Sequence, residues 1–133
     1  MLYLLDTSVI ISFLRHKEGA RNFISSHISD ELITSCICEA EVAGGIYREE
    51  KEKINLRQEQ VKNLFSSFSQ ILSFDSQQAD LAGKIKAELQ KSGQLIDDLD
   101  ILIAAAALSS QAVLVTFNFK HFQRIKNLQI YEF

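Results

Sequence analysis

The sequence has no proline, five glycines and two cysteines in 133 residues. With no Pro/Gly-rich stretch there is no low-complexity segment and no linker signal, so one compact domain over residues 1–133 is expected. Two cysteines cannot staple a secreted scaffold, which points to a reducing, cytoplasmic setting. No apolar run approaches the ~20 residues that cross a bilayer. The longest are residues 101–108 and 1–5. The amino terminus meets Asp6 with no basic segment ahead of its apolar stretch, unlike a secretory signal, so the chain is expected to stay where it is made. A basic excess is also missing, since 14 Lys and Arg stand against 17 Asp and Glu, giving a charge of −3. An anionic ligand would have to be held by local patches or through a metal.

What is present is material for a core: 47% of residues are hydrophobic and 23% charged, as in globular domains, which argues against disordered, collagen-like and coiled-coil classes. Residues 2–5 form an apolar run that meets Asp6, Thr7 and Ser8, and Val9, Ile10, Phe13 and Leu14 follow at helical spacing. That is strand, capping turn and helix, because Asp, Thr and Ser oxygens accept from the free N–H groups of a first turn. Further strands are expected at 31–37, 71–74, 112–116 and 128–131. Helices are expected at 20–28, 39–47, 55–68, 79–89 and 98–108, with a helical turn at 119–125. Short apolar strands alternating with helices predict a three-layer α/β/α sandwich around a mostly parallel sheet of about five strands.

In such sheets ligands collect beyond the carboxyl ends of the strands. The polar residues there are Asp6 after the first strand, Glu39 and Glu41 after the second, and Thr116 with Asn118 after the fourth, while Asp97, Asp98 and Asp100 open the apolar helix. Crowded carboxylates repel, and a divalent cation with hard oxygen ligands, magnesium or manganese, relieves the repulsion. Two such ions can activate water at a phosphodiester without any His, Ser or Cys nucleophile. Each acid also has an ordinary reading as a helix cap or as a partner for the positive end of a helix. Those readings explain the residues singly better than they explain the set.

The set resembles the PIN-domain nucleases, and in particular the small VapC-type toxins of prokaryotic toxin–antitoxin pairs. "LYLLDTSVII" is similar to the family's opening strand and first acid, Asp6; "SCICEAEVAGG" to its second motif, which selects Glu41 and Gly45; "IDDLDILIAAAAL" to its third, which selects Asp100. "LVTFNFKHFQRIKNLQIYEF" matches the closing pattern of Thr116, Asn118, Phe122 and a final strand. The resemblance spans nearly the whole chain. It implies a Mg2+- or Mn2+-dependent endoribonuclease whose metal cluster is Asp6, Glu41 and Asp100. Asn118 would stand where many relatives carry Asp, which lowers the site's charge and weakens the case for a second metal. It further implies an RNA substrate, a small antitoxin partner whose C-terminal segment occupies the groove near the metal, and a homodimer.

Around the implied ligands, Thr7, Ser8 and Thr116 are hydroxyl residues suited to orienting water, and Asp97 could add an outer contact. Setting three ligands aside leaves 14 acids against 14 bases, so RNA contacts fall to local groups: Arg15, Lys120 and Arg124 are the candidates. Cys36 and Cys38 read as small buried groups on one strand face. His16, His27 and His121 read as surface. Phe117, Phe119 and Phe122 read as core, with base stacking as the alternative. Rival sites are incomplete: a metal-dependent adhesion motif needs Ser where Ile10 stands, a haloacid-dehalogenase-type phosphatase needs a second Asp where Ser8 stands, and a dinucleotide turn needs glycines that are absent. Two other functions share these motifs: a PIN fold acting mainly as a protein-binding partner, and a stand-alone RNA-processing nuclease.

Overall fold

The computed structural model describes residues 1–133. Strands β1 (Leu2–Leu5), β2 (Glu31–Ser35), β3 (Gln70–Leu72) and β4 (Val113–Val115) form one parallel sheet in the order β3-β2-β1-β4. Parallel strands need crossovers, supplied by helices α1 (Thr7–Leu14), α2 (Glu18–Ser26), α3 (Cys36–Tyr47), α4 (Lys51–Ser66), α5 (Ser76–Lys91) and α6 (Asp98–Ser110). A single turn, α7 (Phe119–Phe122), follows β4. Successive strand residues face opposite sides of a sheet, and Leu4 and Leu5 are both completely buried. Helices therefore cover both faces, as the expected three-layer sandwich requires.

The register sets Leu4 opposite Ile33 on one side and Leu114 on the other. From β1 the chain steps outward to β2 and β3, then returns past β1 to add β4 on its far side. The order thus reverses between β1 and β4, and a crevice opens at their carboxyl ends. Asp6 and Thr116 are the residues that leave those two strands.

Local chemistry sets the element ends. Asp6 caps α1 by accepting from the Val9 N–H, Ser35 caps α3 by accepting from Ile37, and Asp75 caps α5 by accepting from Gln78. Helix α6 carries Ala104, Ala105, Ala106 and Ala107, all completely buried, so small side chains let its backbone approach its neighbours. It ends on Gln111 in the left-handed conformation, φ 57°.

Three expectations need correction. Phe117 and Phe119, read as core, are each 44% exposed, because the segment after β4 carries them past the end of the sheet. The sheet has four strands rather than about five, because residues 128–131 pair with β4 only through the bridge of Ile130 with Leu114. That contact consists of Leu114 N–H donating to Gln129 and Tyr131 N–H donating to Leu114, each 2.8 Å. Cys36 and Cys38 lie on the first turn of α3, not on a strand, because the Ser35 cap starts the helix there. Cys38 is nonetheless completely buried, and burial pushes its thiol up to about 12, so it packs as a neutral group.

Gln111 is exposed and holds a backbone conformation that costs an L-residue about 1 kcal/mol or more. Gln111→Gly should therefore raise the unfolding free energy by about 0.5–1 kcal/mol, after the greater freedom of glycine in the unfolded chain is deducted. Urea titration would register this as a higher midpoint at constant slope, and a lower midpoint would refute it.

Candidate active site

The crevice is organised around one carboxylate. Asp6 is only 2% exposed, and its backbone N–H is fixed to the Val115 carbonyl of β4 at 3.1 Å. Ser8 Oγ donates to Asp6 Oδ1 and Thr116 Oγ1 donates to Oδ2, both at 2.6 Å, while the Val9 N–H adds a 3.3 Å bond to Oδ1. The two hydroxyls also accept, Ser8 Oγ from the Phe117 N–H at 3.0 Å and Thr116 Oγ1 from the Asn118 N–H at 2.9 Å. The start of α1 and the segment after β4 are thereby locked to the same acid.

No ion pair in the structure involves Asp6 or Glu41. Burial without a cation raises the Asp6 carboxyl above its ordinary 3.8, against the opposing pull of the Ser8 and Thr116 hydroxyls and the backbone N–H groups. Thr7 Oγ1 reaches across to α3 and donates to Glu41 Oε1 at 2.6 Å, so neighbouring hydroxyl residues of one turn hold two acids. Glu39 is exposed on the same helix and joins no part of this network.

The acids from α6 stand differently. Asp100 Oδ2 meets His121 Nδ1 at 3.0 Å. An ionised carboxylate can only accept, so Nδ1 carries the proton. The His121 N–H in turn donates to the Asn118 carbonyl at 3.1 Å, which ties Asp100 to the same segment as Thr116. Asp97 caps α6 through the Leu99 N–H, and Asp98 pairs with Lys86 at 3.0 Å on the surface. The Asn118 side chain is exposed and makes no capping bond. From the sequence His121 reads only as a surface residue three positions after Asn118; its partner, 21 residues away, is a tertiary contact that no local pattern signals.

Hence Asp6, Thr7, Ser8, Glu41 and Thr116 are brought together, whereas Asp100 reaches them only through His121 and Asn118. No three His, Cys, Asp or Glu side chains stand at common coordination distance. The donor chemistry is that of a hard cation: carboxylate and amide oxygens, with the one nearby thiol, Cys38, neutral and buried. Asp6 Oδ1 accepts two bonds, whereas Oδ2 accepts only the Thr116 hydroxyl and retains acceptor capacity. The residues therefore fit Mg2+ or Mn2+ in type, with Glu41 and Asp100 engaged by Thr7 and His121.

The candidate RNA contacts are dispersed. Lys120 is exposed on α7 beside the crevice. Arg124 turns to the loop before α6, its Nη1 donating to the carbonyls of Gln94 and Leu95 at 3.4 Å. Arg15 lies with Gly45, Glu49 and Arg57 on a separate groove of about 350 Å3 between α1, α3 and α4, which none of the three acids lines.

Comparison with known proteins agrees with this frame. The family model described as "PIN domain" matches residues 3–128. The Ribonuclease VapC2 of Rickettsia felis is 31% identical over 130 residues, covering 96% of this chain and 95% of that protein. The tRNA(fMet)-specific endonuclease VapC of Shigella flexneri is 28% identical, covering 96% and 94%. Among solved structures, VapBC2 from Rickettsia felis bound to a DNA fragment from its promoter superposes with a TM-score of 0.90 at 27% identity, over 100% of this chain and 99% of that one. With the family's fold, length and order of acidic motifs all present, the chain belongs to the PIN-domain family, among relatives named as VapC ribonucleases.

Proposed function

We propose that the protein is a metal-dependent endoribonuclease that hydrolyses RNA phosphodiester bonds, and that it serves as the toxin of a type II toxin–antitoxin pair. The observation that carries this reading is Asp6: a buried carboxylate without a cationic partner, at the sheet's switch point, tied by hydroxyl bonds to the turn that also holds Glu41. Asp6, Glu41 and Asp100 would hold Mg2+ or Mn2+, with Asn118 as a neutral oxygen donor in the fourth position. When bound, such a cation lowers the pKa of water and stabilises charge on the phosphoryl and leaving oxygens.

The chain's own residues do the positioning. Ser8 and Thr116 fix both oxygens of Asp6, Thr7 fixes Glu41, and His121 fixes Asp100. Asp97, whose Oδ1 caps α6, is assigned no more than an outer contact. Lys120 lies nearest for the backbone of RNA, with Arg124 and Arg15 as more distant anchors. The VapC names and the VapBC complex among the relatives support the toxin reading and an antitoxin partner. A homodimer acting in the cytoplasm completes the proposal. No helix is long and apolar enough to cross a membrane.

Purified protein is expected to cleave a tRNA or total-RNA pool with Mg2+ or Mn2+ and not with EDTA, and Asp6→Asn and Asp100→Asn to lose about 100-fold or more of that rate. Cleavage that persists in EDTA or in both variants would overturn the assignment. Lack of cleavage by folded, metal-supplemented wild type would favour the protein-binding alternative.

Burial has a signed effect on stability. A folded-state carboxyl pKa above 3.8 means that the folded chain binds its proton more tightly than the unfolded chain. The stability it contributes is fully present below 3.8 and is lost as pH rises through the raised value. Asp6→Asn should therefore melt higher than wild type at pH 7 without divalent cation, with the gap closing as pH falls towards 4. Mn2+ should raise the melting temperature of wild type and not that of the variant. A variant less stable than wild type at pH 7 would contradict this account.

A further inference from the structure

Beyond the carboxyl end of β4 three phenylalanines remain in solvent: Phe117 and Phe119 are each 44% exposed and Phe133 56%, while Phe122 of the same segment is completely buried. Phe117 and Phe133 lean together with ring centroids 4.5 Å apart at 33°. With Phe119, Tyr131, Glu132 and Thr116 they line one open cavity of about 420 Å3. Exposed aromatic surface of this kind is costly unless something covers it. Its location is specific, because the Phe117 N–H donates to Ser8 Oγ, which itself donates to Asp6. The shelf thus begins one hydrogen bond away from the residue that holds the central acid.

Two of the three rings, Phe117 and Phe133, are also held in place. The Phe117 ring lies over Gly19 of α2, where a Cβ would stand 3.8 Å from its Cζ. Phe133 packs edge-on against Tyr131 at 5.1 Å, and Tyr131 packs in the same way on Phe23 at 4.8 Å and Tyr3 at 6.1 Å, both core residues. A rigid platform loses little conformational entropy when something stacks on it.

We propose that Phe117, Phe119 and Phe133 form a base-stacking subsite that receives an unpaired nucleobase of RNA bound at the acidic crevice. The proposal rests on the ribonuclease reading. Stacking on aromatic faces is how sequence-tolerant single-strand sites gain affinity, and a duplex hides those base faces in its own stack. The surrounding charges suit a nucleotide. Lys120, next to Phe119 and without an acidic partner, offers a cation to the flanking phosphate. Glu132 on the rim can only accept, so it turns phosphate away and favours bases that carry amino donors.

The chain has no tryptophan, so Phe133→Trp places a single reporter on the shelf. In EDTA, where cleavage is blocked, short single-stranded RNA should quench that emission saturably and the same sequence as a duplex should not. Phe119→Ala in this background should weaken binding about tenfold. In cleavage assays with Mn2+, Phe119→Ala and Phe133→Ala should lower kcat/KM about tenfold through KM, with Phe→Tyr at either position restoring it and circular dichroism unchanged. Wild-type kcat/KM in both alanine variants, or unchanged emission while labelled single-stranded RNA binds, overturns the proposal. An altered oligomeric state with unchanged kcat/KM likewise overturns it and assigns the shelf to contacts between copies. Quenching without any cleavage by wild type would sustain the shelf and overturn the nuclease reading, so the two fail separately.

Discussion

The parallel pairing of β1 with β4 is the constraint on which the rest of this structure depends. Asp6 continues that ladder, its N–H bound to Val115, and the pairing alone brings Thr116 within 2.6 Å of a carboxylate 110 residues earlier in the chain. A buried acid is costly in isolation, and here the cost is limited by hydroxyls rather than by a positive side chain. A lysine or arginine in the same place would have neutralised Asp6 permanently. Hydroxyls stabilise the anion while leaving its charge available, which is the electrostatic requirement for holding a divalent cation.

The same economy recurs outward from Asp6. Thr7, Ser8 and Thr116 share two functions between them, orienting acids and anchoring the backbone of Phe117 and Asn118. Each hydroxyl donates to a carboxylate, and two of the three also accept from main chain. Replacement of Ser8 or Thr116 would therefore disturb both Asp6 and the segment after β4, so effects at these two positions should not be additive.

Much of the arrangement could be read from local chemistry. The run that stops at Asp6-Thr7-Ser8 announces a strand, a cap and a helix, and the alanines after Asp100 announce a buried helix, because both signals lie in consecutive residues. The parts that escaped reading are tertiary. Residues 128–131 have a strand-like composition, but only Ile130 bridges β4, and no sequence pattern counts partners. Cys36 and Cys38 followed a β-branched, apolar run, yet the Ser35 hydroxyl ends it and starts a helix. Likewise the Asp100–His121 contact and the division of the phenylalanines into one buried and two exposed depend on what the fold places nearby, not on spacing.

The strand order has a consequence for synthesis. β1 emerges first from the ribosome and β4 last among the strands, yet they are neighbours, so the sheet's final pairing waits for the carboxyl-terminal part of the chain. Until then Asp6 lacks the Thr116 hydroxyl and the Val115 carbonyl that define its place. A growing chain therefore carries its first acid without a completed crevice until residues 113–116 have been added and paired.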